Sequence, residues 1–238
     1  MSAQGNAEGI VIAIDGPSGS GKSSTAKGVA TARDLAYLDT GAMYRAMTWW
    51  MLRHQIDVAD AAAVAEAAWR PVISMGTDPS SPTVQVDGTD VARAIREDTV
   101  TANVSAVSAV PAVRDRLVAM QREIITRARS EAGGIVVEGR DITTVVAPDA
   151  PVKLYLTASA EARAQRRSKE TQTGDIAATQ ADLARRDMLD SSREMSPLTQ
   201  TEDALELETT GLTLDEVIAI VVKLADEAVG AEEGSAAL

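Results

Sequence analysis

One octapeptide near the start of the chain dictates the local fold around it. Gly16-Pro17-Ser18-Gly19-Ser20-Gly21-Lys22-Ser23 satisfies G-x-x-x-x-G-K-[ST], and its flanks supply the context that gives the pattern meaning. Before it, Ile10-Val11-Ile12-Ala13-Ile14 is an apolar run of strand length. After it, Ala26, Val29, Ala30 and Leu35 recur at helical spacing. A strand, a glycine-rich turn and a helix start aim successive backbone N–H groups at one point. Phosphate oxygens are stabilised there by those donors and by the positive end of the helix dipole. Residues Gly16 to Gly21 form the cradle, and Ser23 and Ser24 open the helix. Lys22 reaches the outer phosphates, and the Ser23 hydroxyl can hold Mg²⁺.

The rest of the composition narrows the class. At 238 residues one domain with insertions, or one and a half, is expected. It has no cysteine, which excludes disulfide and thiol chemistry, and its lone His54 excludes a multi-histidine metal site. No run approaches the ~18 apolar residues of a membrane span, and no basic stretch leads into an apolar one at the start. A cytoplasmic location, no membrane partner and a monomer are the expectations. The net charge of -12 argues against a nucleic-acid polymer as partner. It also requires a nucleotide site to be basic locally, against an acidic background.

Along the chain, short apolar runs alternate with amphipathic stretches, the pattern of an α/β fold. Parallel strands are expected at Ile10–Ile14, Tyr37–Leu38, Ile135–Val137, Val152–Leu156 and Leu205–Leu207, and helices at Ala42–Arg53, Pro111–Arg129 and Thr213–Ala228. Thr213 is the expected N-cap of the last helix. Val72–Met75 and Thr83–Val86, followed by the Asp87-Gly88 turn, break the rhythm and predict a small antiparallel insertion over about 70–92. Trp49, Trp50 and Trp69 are expected to pack in the core or between domains, and His54 to lie at the surface. The tail from Gly230 is small and acidic and is expected to be disordered.

Three further clusters fall where ligands bind in open α/β sheets, beyond the carboxyl ends of strands. Asp39-Thr40-Gly41-Ala42-Met43-Tyr44-Arg45 follows the second strand, and Glu138-Gly139-Arg140-Asp141 follows the third. From Ser159 to Arg193 the chain is dense in charge. Arg163 and Arg167 stand one helical turn apart, and Arg186, Asp190 and Arg193 fall on one helix face. Between them, 170–179 reads as a mobile connection. Two arginine-bearing helices so joined could close over triphosphate.

Together these segments resemble the bacterial cytidylate kinases, which are nucleoside monophosphate kinases. Val145 to Ala150 and Ser196-Pro197-Leu198 extend the match, which spans about Ile10 to Leu224. The P-loop alone does not select this family, whereas the ordered set does. The resemblance implies a P-loop NTPase-type parallel five-stranded sheet flanked by helices. It also implies a monophosphate-binding domain carrying the β insertion, and a short helical lid. The implied division is a flexible 1–9, a core of 10–40, 131–160 and 194–229, a monophosphate domain of 41–130, a lid of 161–193 and a tail of 230–238. By motif match Arg45, Arg140 and Arg193 would hold the acceptor phosphate, with Thr40 and Tyr44 beside them. Ser105, Arg114 and Asp141 would read cytosine, Arg186 and Asp190 would contact the sugar, and Arg163 and Arg167 would face ATP. Thr40 stands where Ser is frequent and Glu138 where Asp is frequent, so whether Glu138 or Asp39 helps hold Mg²⁺ through water stays open.

The implied reaction moves the ATP γ-phosphoryl group to CMP or dCMP. Lys22, Arg140, Arg167 and Arg193 would neutralise the transferred group. Another small P-loop kinase, acting on shikimate, dephospho-coenzyme A or a different monophosphate, is the second reading. A nucleotide-dependent switch is the third, although the chain lacks an N/T-K-x-D guanine motif.

Overall fold

The computed structural model describes residues 9–171 and 174–236, with side chains described for all of these but Thr171 and 231–236. The fold is built around β1 (Ile10–Asp15), buried along its whole length. It reads as continuous apolar sequence because both sheet faces are covered. Parallel partners flank it, β6 (Gly134–Glu138) on one side and β7 (Val152–Thr157) on the other. Outside these lie β2 (Ala36–Asp39) and β8 (Leu205–Glu208), giving the all-parallel order β2-β6-β1-β7-β8. Each expected strand forms, extended by one or two residues. Strand order reverses about β1, so a crevice opens at the carboxyl ends of β1, β2 and β6. The register sets Ile14 and Asp39 on either side of Glu138 there.

Alternate side chains of the sheet serve two cores. Ile12, Ile14, Val136 and Leu154 pack against α1 (Lys22–Arg33) and α8 (Leu214–Ala236). Val11, Ala13, Leu38 and Val137 pack against α2 (Thr40–Arg53) and α5 (Pro111–Glu131). The chain has no Phe, and on α2 the i, i+4, i+8 stripe Met43, Met47, Met51 fills the space instead. Thr213 caps α8 as expected, in a reciprocal box with Glu216.

The insertion is a three-stranded antiparallel sheet, β3 (Ile73–Met75), β4 (Val84–Val86) and β5 (Thr89–Asp90). Asp87 and Gly88 both take positive φ, as a type I′ hairpin turn requires. Its other loop has a structural consequence for the main sheet. The Thr77 carbonyl accepts from the Tyr37 N–H at 2.8 Å, covering the edge strand β2.

Several expectations need correction. The tail is not without structure, because α8 continues to Ala236. Ala231, Glu232, Glu233 and Ala236 favour the helix there, but Gly230 and Gly234 are poor helix formers and no apolar stripe announces it. Gly9 is buried and hydrogen-bonded to the Arg129 carbonyl at 3.2 Å, while 1–8 lie outside the described residues. Trp69 is not a core residue. It is 64% exposed, with the Arg116 guanidinium over its ring. Trp50 is buried, and the exposed His54 stacks on it. α3 (Ala61–Ala67), capped by the Asp60 side chain, was not anticipated, and α4 (Asp98–Ser108) is only weakly patterned as a helix because it is rich in β-branched residues that favour strands.

Candidate active site

At the end of β1 the chain must turn sharply away from β7. Gly16 has φ of +144°, and a Cβ there would lie 2.0 Å from the Leu156 carbonyl oxygen, so no side chain fits. Gly21, left-handed at φ 95°, then sets the first turn of α1. The P-loop residues Ser18 to Ser24 line a cavity of about 430 Å³. Gly16 and Pro17 shape the loop without lining it. Lys22 is buried at the cavity floor, its Nζ donating to the Pro17 carbonyl at 2.7 Å. Burial, followed by the neighbouring Arg140 charge, brings this ammonium down to about 7.

A smaller cavity of about 90 Å³ adjoins the first, and Arg45, Glu138, Arg140 and Arg186 line both. Every residue assigned by motif to the acceptor side lines this smaller cavity: Thr40, Tyr44, Arg45, Ser105, Arg114, Arg140, Asp141, Arg186, Asp190 and Arg193. α2 presents Tyr44 and Arg45 from its first turns, and the Asp39 carboxylate caps that helix by accepting from the Ala42 N–H. The Thr40 hydroxyl donates to the Glu138 carbonyl at 2.7 Å. Arg45 donates to the Ile95 carbonyl and to the Thr101 hydroxyl at 2.8 Å. Arg140 pairs with Asp190 at 3.1 Å. Arg114 and Asp141 form a buried ion pair.

The remaining cations come from α6 (Ala160–Thr171) and α7 (Ile176–Ser191). The mobile connection expected over 170–179 is shorter than read, and its residues 172–173 lie outside the described residues. α7 stops at Ser191, so Arg193 does not share its face with Arg186 and Asp190. It reaches back instead to the Asp190 carbonyl at 3.2 Å. Arg186 has a buried Nε without a hydrogen bond among the described residues. Burial first, then the charge of Arg140, lower its guanidinium to about 10, and burial lowers that of Arg45 to about 9. Cations crowded and desolvated in this way are relieved by a polyanion.

The sequence reading missed parts of the cleft. Arg167 lines the large cavity as expected, but Arg163 does not, because it is turned under the P-loop. Arg166 lines it instead, bonded to Thr209. Arg96, from the 3₁₀ turn Ala94–Arg96, lines it as well and pairs with Asp39 at 2.7 Å. Leu212, Leu214 and Val217 give the cavity an apolar wall. The buried Asp15, one residue before the motif, accepts from the Ile142 and Thr143 N–H groups and the Thr143 hydroxyl. It thereby fixes the π-helical turn Ile142–Val146 that follows Arg140 and Asp141. Its desolvated carboxyl is held above the usual range.

With this geometry in view, the comparisons with known proteins have a specific meaning. A profile of the cytidylate kinase family matches residues 12–227. The chain belongs to the cytidylate kinase family. A protein named cytidylate kinase from Streptomyces avermitilis is 56% identical over 218 residues, 92% of this chain and 93% of that protein. Another of that name from Rhodococcus jostii is 53% identical over 226 residues, 93% of this chain and 97% of that protein. An uncharacterized protein from Eubacterium ventriosum shares the fold, with a TM-score of 0.52 at 13% identity over 92% of this chain and 98% of that one. Glu138 lines both cavities. The Tyr37 hydroxyl donates to its Oε1 at 2.6 Å and the Ser23 hydroxyl lies alongside. Burial and the nearby Asp39 hold its carboxyl above the usual range.

Proposed function

We infer that this member of the cytidylate kinase family transfers the γ-phosphoryl group of ATP to CMP or dCMP, giving ADP and CDP or dCDP. The observation that carries this reading is the joined pair of cavities. The P-loop lines one, the motif-matched acceptor residues line the other, and Arg140 and Arg186 belong to both. The acceptor phosphate is already an anion near neutral pH, so no base is needed. One of its oxygens forms the new bond to the γ-phosphorus. The bond from that phosphorus to the β,γ-bridging oxygen breaks, and its electron pair leaves with ADP. The remaining barrier is the alignment of two mutually repelling anions and the neutralisation of charge on the transferred group. Lys22, Arg140, Arg167 and Arg193 are suited to that neutralisation. Arg45, Arg140 and Arg193 would hold the acceptor phosphate, and Arg186 and Asp190 the sugar. The apolar wall of Leu212, Leu214 and Val217 suits the adenine of the donor.

The donor set also fits Mg²⁺. Hard oxygens converge at the Ser23 hydroxyl and the Glu138 carboxylate, with Asp39 paired across β2 and β6. Among the described residues no cluster of three or more acids or histidines forms a protein cage. Mg²⁺ seldom uses one, taking phosphates and waters instead. When bound, the ion supplies charge neutralisation on the β- and γ-phosphates. No described helix is long and apolar enough to cross a membrane.

Base choice is assigned to Asp141, with Ser105 and Arg114. The carboxylate accepts from the exocyclic amine of cytosine, and uracil carries a carbonyl at that place. A mismatch of this kind costs about 1–3 kcal/mol. The test is ADP formation with Mg²⁺-ATP and a panel of CMP, dCMP, UMP, AMP, GMP and shikimate. CMP and dCMP are expected to turn over roughly ten- to hundredfold better than UMP. AMP, GMP and shikimate are expected to be inactive, and turnover with any of these three in place of CMP would discard the assignment.

The lowered Lys22 gives a pH-dependent signature. Near pH 8 an ammonium whose pKa is about 7 is mostly deprotonated in the free protein. Triphosphate stabilises the protonated form, so ATP binding should take up close to one proton near pH 8 and almost none near pH 6. Calorimetric titrations in buffers of different ionisation enthalpy measure this uptake, and Lys22→Met should abolish it.

A further inference from the structure

Both lid helices grip the P-loop at Ser18, and α6 also holds Ser20, whose carbonyl accepts from Arg166 at 3.3 Å. From α7, Asp187 Oδ1 accepts from the Ser18 backbone N–H at 3.0 Å. From α6, Arg163 donates to the Ser18 carbonyl at 3.1 Å and pairs with the other oxygen of Asp187. Arg163 is anchored in turn by its Nε, which donates to the Ala158 carbonyl at 3.2 Å. The pair is largely buried, with side-chain exposures of 13% and 18%. α6 lies so close that a Cβ on Gly19 would meet the Arg163 carbonyl oxygen at 3.0 Å. Ser18 itself lines the large cavity.

We propose that Asp187, neutralised by Arg163, is a positioning residue that fastens the lid to Ser18 and holds the P-loop in place around the donor phosphates. The proposal rests on the kinase reading above. A bare carboxylate at the rim of a phosphate cradle repels the ligand. Arg163 cancels that charge, and the acceptor oxygen of Asp187 still orders the loop. The latch therefore acts on the donor side of the reaction. Neither residue lines the acceptor cavity.

Four full-length variants test it: Asp187→Ala, Asp187→Asn, Arg163→Met and the double variant Arg163→Met with Asp187→Ala. Asp187→Ala should lower kcat/KM for ATP about ten- to hundredfold while KM for CMP stays within about twofold. Asp187→Asn keeps the oxygen that accepts from Ser18 and should recover part of the loss. Arg163→Met leaves the carboxylate unneutralised and should weaken ATP binding more than Asp187→Ala does. The double variant should then be no worse than Asp187→Ala, a non-additive result that marks a coupled pair. The proposal is overturned by kcat/KM for ATP within twofold of wild type in Asp187→Ala, by parallel losses in ATP and CMP affinity, or by strict additivity. ATP binding measured by calorimetry reads the latch directly. Absence of wild-type turnover with CMP would remove the kinase reading alone, whereas ATP affinity unchanged in the variants would remove the latch alone. Arg163→Met carries the test if Asp187→Ala fails to fold.

Discussion

Lys22→Met is expected to lower kcat with CMP by about 10²–10³-fold, the cost of removing one preorganised charge from a developing anion. KM for CMP should change less than about twofold, because the acceptor cavity is not lined by Lys22. The stability of the variant should move the other way. The ammonium is buried and crowded by Arg140, and both effects disfavour its charge in the free protein. An apolar side chain of similar length removes that penalty, so the melting temperature of the nucleotide-free variant should equal or exceed that of the wild type. Lys22→Arg should not rescue activity, since a planar fork cannot occupy the place of a compact ammonium that donates to the Pro17 carbonyl at 2.7 Å. Coupled steady-state kinetics and a thermal melt on the same preparations check all of this. A kcat within tenfold of wild type would remove Lys22 from the charge-neutralising set.

The parts of this site that a single sequence displayed are those built from contiguous residues. The P-loop is local, so its strand, turn and helix could be read from one segment. The residues matched to the acceptor side lie far apart, and most sit in short motifs whose order carried them, whereas Ser105, inside α4, and Arg114 have only a weak helical pattern around them. What escaped were contacts made between distant segments. Asp15 holds the turn after Asp141 across more than 120 residues of chain, Arg166 reaches Thr209, and Asp187 reaches Ser18. None leaves a periodic or motif signal in one chain. Arg163 and Arg167 were paired by spacing, but the axis of α6 against the P-loop tucks Arg163 under the loop and opens Arg166 to the cavity. α4 is only weakly patterned because Val100, Thr101, Val104 and Val107 are weak helix formers. Burial of Val100, Val104 and Val107 overrides that preference.

The buried pair Arg114–Asp141 sets the second large effect, and it joins stability to base choice. Their side chains are 2% and 6% exposed. Arg114 also donates to the Ser108 carbonyl at 3.2 Å and lies over the Tyr44 ring. Removing one partner strands the other charge away from water, which costs about 3–5 kcal/mol. Arg114→Met and Asp141→Ala should each lose stability on that scale in denaturant titrations. The double variant should lose clearly less than the sum, because it leaves no orphaned ion. CMP should restabilise the wild type in proportion to RT ln(1 + [CMP]/Kd), and Asp141→Ala by much less. Asp141→Asn separates the two roles. Its amide oxygen can still accept from Arg114, which turns the NH₂ group towards the base. That group donates to the uracil carbonyl and opposes the cytosine amine. The CMP preference of about ten- to hundredfold should therefore fall to about one or reverse in Asp141→Asn, with KM for ATP unchanged. Selectivity equal to wild type in a folded Asp141→Asn would leave Asp141 as a partner of Arg114 and remove it from base recognition.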